Sequence, residues 1–184
     1  MNYEALDFTN GTKNIPGLKP VGYFGFTDEA ASIPELPASP ASMSAAGVIT
    51  TDITMKSGKT MYPMYGTLEK LSLNGEAVGE RDSRVKNRTL TWKYPDTNEA
   101  SIGFDIGTNN RNMFFVVTDM NGRKRLIGNK SIPASISSSD DSGSTRDSDK
   151  GYTFEISDFG IGAAPIYQGT IPVDSSLMSE DLGV

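Results

Sequence analysis

Three stretches of the chain carry residue types at spacings that chemistry uses. The run "SGKT", Ser57 to Thr60, is the ending of a phosphate-binding loop, but the full pattern also needs a glycine where this chain has Ile53. Without that glycine the backbone cannot form the amide nest that holds a phosphate, so the segment reads as strand, turn, strand. Asp147, Asp149 and Gly151 share the acidic spacing of a calcium loop, with Asp140 and Asp141 nearby. A third oxygen ligand before the glycine is missing, and the glutamate expected six residues after it is Ser157. Arg146 and Lys150 oppose a cation there, which favours a solvated loop. The 23 acidic side chains could supply a catalytic carboxylate pair, but such a pair needs no particular spacing, so none stands out. Trp92 alternates with Leu90 and Tyr94 at strand spacing, the pattern of a core strand rather than a sugar platform.

What is missing excludes more. The chain has no histidine and no cysteine, which removes the usual serine and cysteine triads, the imidazole general base and the common zinc sites. The expectation is a non-enzymatic protein with no catalytic residue, no cofactor and no metal. With 17 basic against 23 acidic residues, the overall charge gives no grip on nucleic acid phosphates. The opening "MNYEALDFTNGTKNIPG" lacks a basic start followed by a long apolar run, and no stretch is apolar for the eighteen or so residues of a membrane helix. No secretory leader and no membrane association are expected, and the sequons at Asn10 and Asn87 read as chance matches.

The elements that must position any site are mostly strands. Residues 1–46 hold Pro16, Pro20, Pro34, Pro37 and Pro40, half of the ten prolines, and read as an extended N-terminal arm. Within it, Tyr23, Phe24 and Phe26 are too apolar for a free tail and predict docking, on the chain's own domain or on a neighbour. Residues 47–173 form a β-domain, with strands expected at 48–55, 59–64, 67–73, 88–94, 132–137 and 151–157, and a last run over 164–173. Asp96 with Glu99 has the capping-box spacing and predicts one short helix. Met113 to Val117 is an apolar strand that returns through Leu126 and Ile127 by a tight turn at Asn121-Gly122. Residues 138–150 read as a long polar loop, and 174–184 as a loose acidic tail. The fold class is mainly β: an antiparallel sandwich or barrel with one short helix. Basic residues gather at Arg81, Arg84, Lys86 and Arg88 and again at Arg123, Lys124 and Arg125, either as solvated tips or as partners for acidic surface on another copy.

The run from "LTWKYPDTNEASIGFDIG" through "NMFFVVTDMNGRKRLIGNKSIPAS" to "GYTFEIS" and "APIYQGTI" resembles virion structural proteins of tailed phages that infect Bacteroidetes. The upstream "LEKLSLNGEAVGE" and "VGYFGFTDEAASIPELP" are similar to the same group, so the likeness covers about residues 17–172. Within that group it most resembles the tail tube class. The resemblance implies a subunit of stacked rings, commonly hexameric, whose inner sheet joins across copies. Its loops and arms bridge rings, and the tube conducts DNA into the host without binding it. Partners would be other copies and other tail or neck proteins, the place the virion tail after assembly in the bacterial cytoplasm. Tyr23, Phe24, Phe26 and residues 138–150 are then the expected contacts between copies. The alternative is a capsid decoration or head-to-tail connector protein of the same virion.

Overall fold

The structure, a computed structural model, describes residues 1–145 and 148–177. Among them twelve strands form a six-stranded, a four-stranded and a two-stranded sheet, with one α-helix. The fold is mainly β and sandwich-like, and no barrel closes among the described residues.

The apolar run gives β8 (Met113–Asp119), whose first five side chains are all buried. A strand apolar on both faces needs cover on both. Accordingly β8 sits inside the six-stranded sheet, ordered β3 (Val48–Ile49), β12 (Ile166–Tyr167), β9 (Lys124–Ile127), β8, β1 (Leu18–Phe26), β5 (Tyr62–Tyr65). Phe115 and Val117 face the four-stranded sheet, while Phe114 and Val116 face a second core with Ile49, Ile53, Met61 and Tyr167. That second core lies on the side of β2 (Ala30–Ser32) and β4 (Thr54–Met55), the two-stranded sheet.

The four-stranded sheet is ordered β10 (Ser135–Asp141), β11 (Gly151–Gly160), β7 (Val85–Tyr94), β6 (Ser72–Val78). In β7 (Val85–Tyr94) and β11 (Gly151–Gly160), alternate residues Leu90, Trp92, Phe154 and Ile156 turn inward and are buried. Trp92 fills the space between the sheets at two glycines: a Cβ on Gly22 would lie 2.8 Å from the indole, and one on Gly66 2.6 Å. Its Nε1 donates to Tyr65 O at 2.9 Å, which meets the polar need of a buried indole.

The structure corrects the arm. Leu18–Phe26 is β1, a strand paired on one side with β8 and on the other with β5 (Tyr62–Tyr65). Pro20 is tolerated because it falls where the register shifts between Leu18 and Gly22, and its carbonyl accepts from Gly66 N at 2.7 Å. Phe24 stacks on Tyr62 and meets Phe104 edge-on, and Arg111 lies 3.5 Å over the Phe26 ring. Replacing Tyr23, Phe24 and Phe26 together by serine therefore unfolds the domain. Each truncation costs about 3 kcal/mol, against a total of about 5–15 kcal/mol for a domain. Thermal circular dichroism should show no cooperative transition, and a folded triple variant would contradict this placement.

Other boundaries move for local reasons. The strand expected over 48–55 divides into β3 (Val48–Ile49) and β4, because Asp52 accepts from Thr170 N and Ile53 N donates to Tyr167 Oη, drawing the backbone between them out of a ladder. The hairpin from β8 to β9 (Lys124–Ile127) turns through three residues, with Asp119 N bonded to Arg123 O. Only Gly122 there has positive φ, the bulge type rather than the two-residue Asn-Gly turn. The helix α1 (Glu99–Thr108) is capped by Asn98, which accepts from Ser101 N at 2.9 Å, and not by Asp96. The polar run is no long loop from residue 138: Ser135–Asp141 forms β10, paired along its whole length with β11.

Candidate functional site

The four-stranded sheet has one face on the core and one facing out, and among the described residues its hydrogen-bonding edges are free on both sides. On β7 the outward residues include Thr89 and Thr91, and on β11 Thr153, Glu155 and Ser157. β10 adds Ser135, Ser137 and Ser139, and β6 (Ser72–Val78) adds Ser72, Asn74 and Glu76. This face is lined by hydroxyls and amides with a few carboxylates, and by Phe159, half exposed, toward one end. Lys93, its one cation on these strands, is only 8% exposed.

The edge strands β6 and β10 are each seven residues long and have no neighbour on their outer side among the described residues. Thr67 N donates to Lys93 O, so odd-numbered residues of β7 turn their backbone groups toward β6. By alternation Leu73, Gly75 and Ala77 on β6, and Ile136, Ser138 and Asp140 on β10, point theirs outward. The edge of the other large sheet is blunted differently. On β5, Pro63 has no amide to offer, Tyr65 O is taken by Trp92, and neighbouring Met61 pairs with Val173.

The four strands are also staggered. The middle of β10, Ser138, lies in the same row as Phe154 and Trp92, whereas the middle of β6, Gly75, lies in the row of Arg88. Trp92 to Arg88 is a slip of four residues across three strand spacings.

The first basic cluster is not one patch. Arg81 and Arg84 are exposed at the β6–β7 turn, and the stem of Lys86 lies over Gly75. Arg88 is buried, its Nε and Nη2 donating to Asp158 at 2.7 and 2.5 Å. Asp158 also accepts from Gly128 N at 2.7 Å, and burial pushes its carboxyl up against the pull of these donors. In the second cluster Arg123 is exposed, Lys124 donates to Gly169 O beside the Tyr167 ring, and Arg125 donates to Ala164 O. These bonds hold the domain together and leave little of the cluster for a partner.

Of the expected contact loop, 138–141 is strand and Arg146 and Asp147 lie outside the described residues. The rest is tied down at its end, where Lys150 donates to Asp96 at 2.9 Å and Asp149 meets Lys70 at 3.2 Å. The Lys150 bond, with the Thr97 amide, holds the Asp96 carboxyl below its ordinary range. A depressed carboxylate contributes stability above its unfolded value that is lost as pH falls through the folded one. Lys150→Met should therefore raise the Asp96 pKa toward that of a free aspartate in an NMR titration, and an unmoved value would contradict the contact.

The phosphate-loop look-alike is a turn at Gly58, with Lys59 held by Glu29 at 2.9 Å. Among the described residues no group of acids could hold a metal ion, and no helix is long and apolar enough to cross a membrane. Sequence reasoning missed the exposed apolar residues near the start, Tyr3, Leu6 and Phe8, which stand in a segment held at Asn2 by Ser42 and at Ile15 by Asn121. Their signal was apolar character at close intervals, with no glycine or proline between. It also missed the solvent flank of α1, where Ile106 is 72% exposed.

Comparison with protein-family models, with curated proteins and with solved structures finds no match for this chain.

Proposed function

We propose that this chain is a structural, non-enzymatic subunit of a phage tail tube, forming rings whose four-stranded sheets join into one inner barrel around a channel for DNA. The observation that carries this is the four-stranded sheet, free at both edges and staggered. A slip of four residues is about 13 Å along the strands, and the three spacings inside a copy plus the one at the joint with the next are about 19 Å across them, which corresponds to a tilt of about 35°. Strands of closed barrels tilt by about 35–45°. Copies joined with the middles of their edge strands directly opposite would therefore close a barrel at an ordinary tilt.

The outer face of the sheet suits the channel. Hydroxyls, amides and carboxylates offer no set of cations to phosphate, and each such contact would add salt-dependent affinity that retards a sliding duplex. Two free seven-residue edges on a soluble monomer would invite irregular aggregation, a hazard that regular pairing with further copies removes. The resemblance read from the sequence alone points the same way.

The channel face is tested by adding charge to it. The native protein should show no affinity for duplex DNA at physiological salt. A Thr89→Lys, Thr153→Lys, Ser157→Lys variant should bind, with a log–log salt slope of about −2.7 or steeper for three added contacts. Native protein that binds DNA as well as the variant would refute a non-stick channel.

A further inference from the structure

Resting on that tube reading, we propose a specific seam: β10 pairs antiparallel with β6 of the next copy, Ser138 opposite Gly75, bringing Asp105 of one copy against Lys86 of the next. In a ring each copy keeps the same orientation, and β10 runs opposite to β6 within the sheet, so the joined strands are antiparallel. Setting the two strand middles directly opposite pairs Ser138 with Gly75 and leaves no residue of either edge unpaired. This register also keeps the faces consistent. Ser139 meets Asn74 on the channel side, while Ile136 meets Ala77 on the inner side, whereas a slip of one residue would turn one strand inside out. The residues brought opposite on the inner side are those whose backbone groups point out of each edge.

The layer behind the seam is complementary. Asp105 accepts from Ser138 Oγ, which places a carboxylate at the middle of the β10 edge. The Lys86 stem passes 3.7 Å from where a Cβ on Gly75 would be, which places an ammonium at the middle of the β6 edge. On α1, Ser101, Phe104 and Thr108 face the core, so the 100° step of the helix puts Ile102 and Ile106 beyond Asp105 on the β10 side. Beneath β6 a cleft of about 370 Å³ is lined in part by Leu18, Leu71, Leu73 and Ala164. The next copy therefore offers a partly apolar slot, with Asp119 and Arg125 also in its wall, to the exposed isoleucines at the same seam.

Disulfide trapping tests this in the full chain, which has no cysteine of its own. Ser139 and Asn74 form a pair without backbone bonds between them, with Cα atoms about 4.5 Å apart, within disulfide reach. The double variant Ser139→Cys, Asn74→Cys should give a ladder of covalent multimers on mild oxidation. Ser139→Cys with Glu76→Cys, displaced by two residues, should not. Asp105→Lys and Lys86→Asp should each weaken association roughly tenfold, and together restore it. Rings that form without the Ser139–Asn74 link, or that link through Glu76, overturn this register and leave the tube reading standing. Protein that stays monomeric and unlinked at every concentration overturns both.

Discussion

Ala77→Pro should leave the monomer folded and raise the concentration needed for assembly by roughly a hundredfold. Ala77 turns its backbone groups away from β7, so proline there removes no bond of the sheet inside one chain. It does remove a donor from the exposed edge and puts a ring where a neighbouring strand must lie. The far-ultraviolet spectrum should match that of the native protein, while light scattering should show assembly lost at concentrations where the native chain associates. Unchanged assembly would mean that β6 is not at the seam. Pro63 in β5 shows that this fold accommodates a proline on an edge strand.

Asp158→Ala should destabilise the domain by about 3–5 kcal/mol, because it leaves the Arg88 guanidinium buried without its carboxylate. Arg88 and Asp158 face each other across β7 and β11 at the end of the inter-sheet core, and Gly160 packs within 3.1 Å of the guanidinium at its would-be Cβ. Nothing else among its bonds replaces the lost charge, since its remaining acceptor is the Phe159 carbonyl. Replacing both partners by apolar residues, Arg88→Met with Asp158→Leu, should recover most of the loss, as the desolvation of two charges is then avoided. Urea unfolding of the single and double variants checks this. A single variant within 1 kcal/mol of native would contradict a buried, coupled pair.

The contrast between these two sites explains what the sequence made legible. Alternation in β7 and β11, and the unbroken apolar run of β8, announce strands because their side chains are sorted by burial. β10 has almost nothing to sort: "SISSSDD" is exposed along nearly its whole length, and its strand form comes from the ladder that β11 imposes. Up to Ser137 a strand was expected, but from Ser138 local composition said loop, and long-range pairing overrode it. β1 was hidden for the opposite reason. Pro20 and the surrounding prolines suggested an arm, while Gly22 and Gly25 marked positions where Trp92 and Phe114 lie across the strand, a contact no local pattern can name. Arg88 looked like one more surface cation because its partner is 70 residues away in sequence. The mainly β class followed from local patterns, whereas the staggered sheet edges follow only from the register between distant strands.

Negative-stain electron microscopy of the purified chain over a concentration series, with molar mass from light scattering, bears on the central claim most directly. The account predicts closed rings with an open centre that stack into tubes as concentration rises. Compact monomers at every concentration, or discrete trimers with no channel and no stacking, would contradict it.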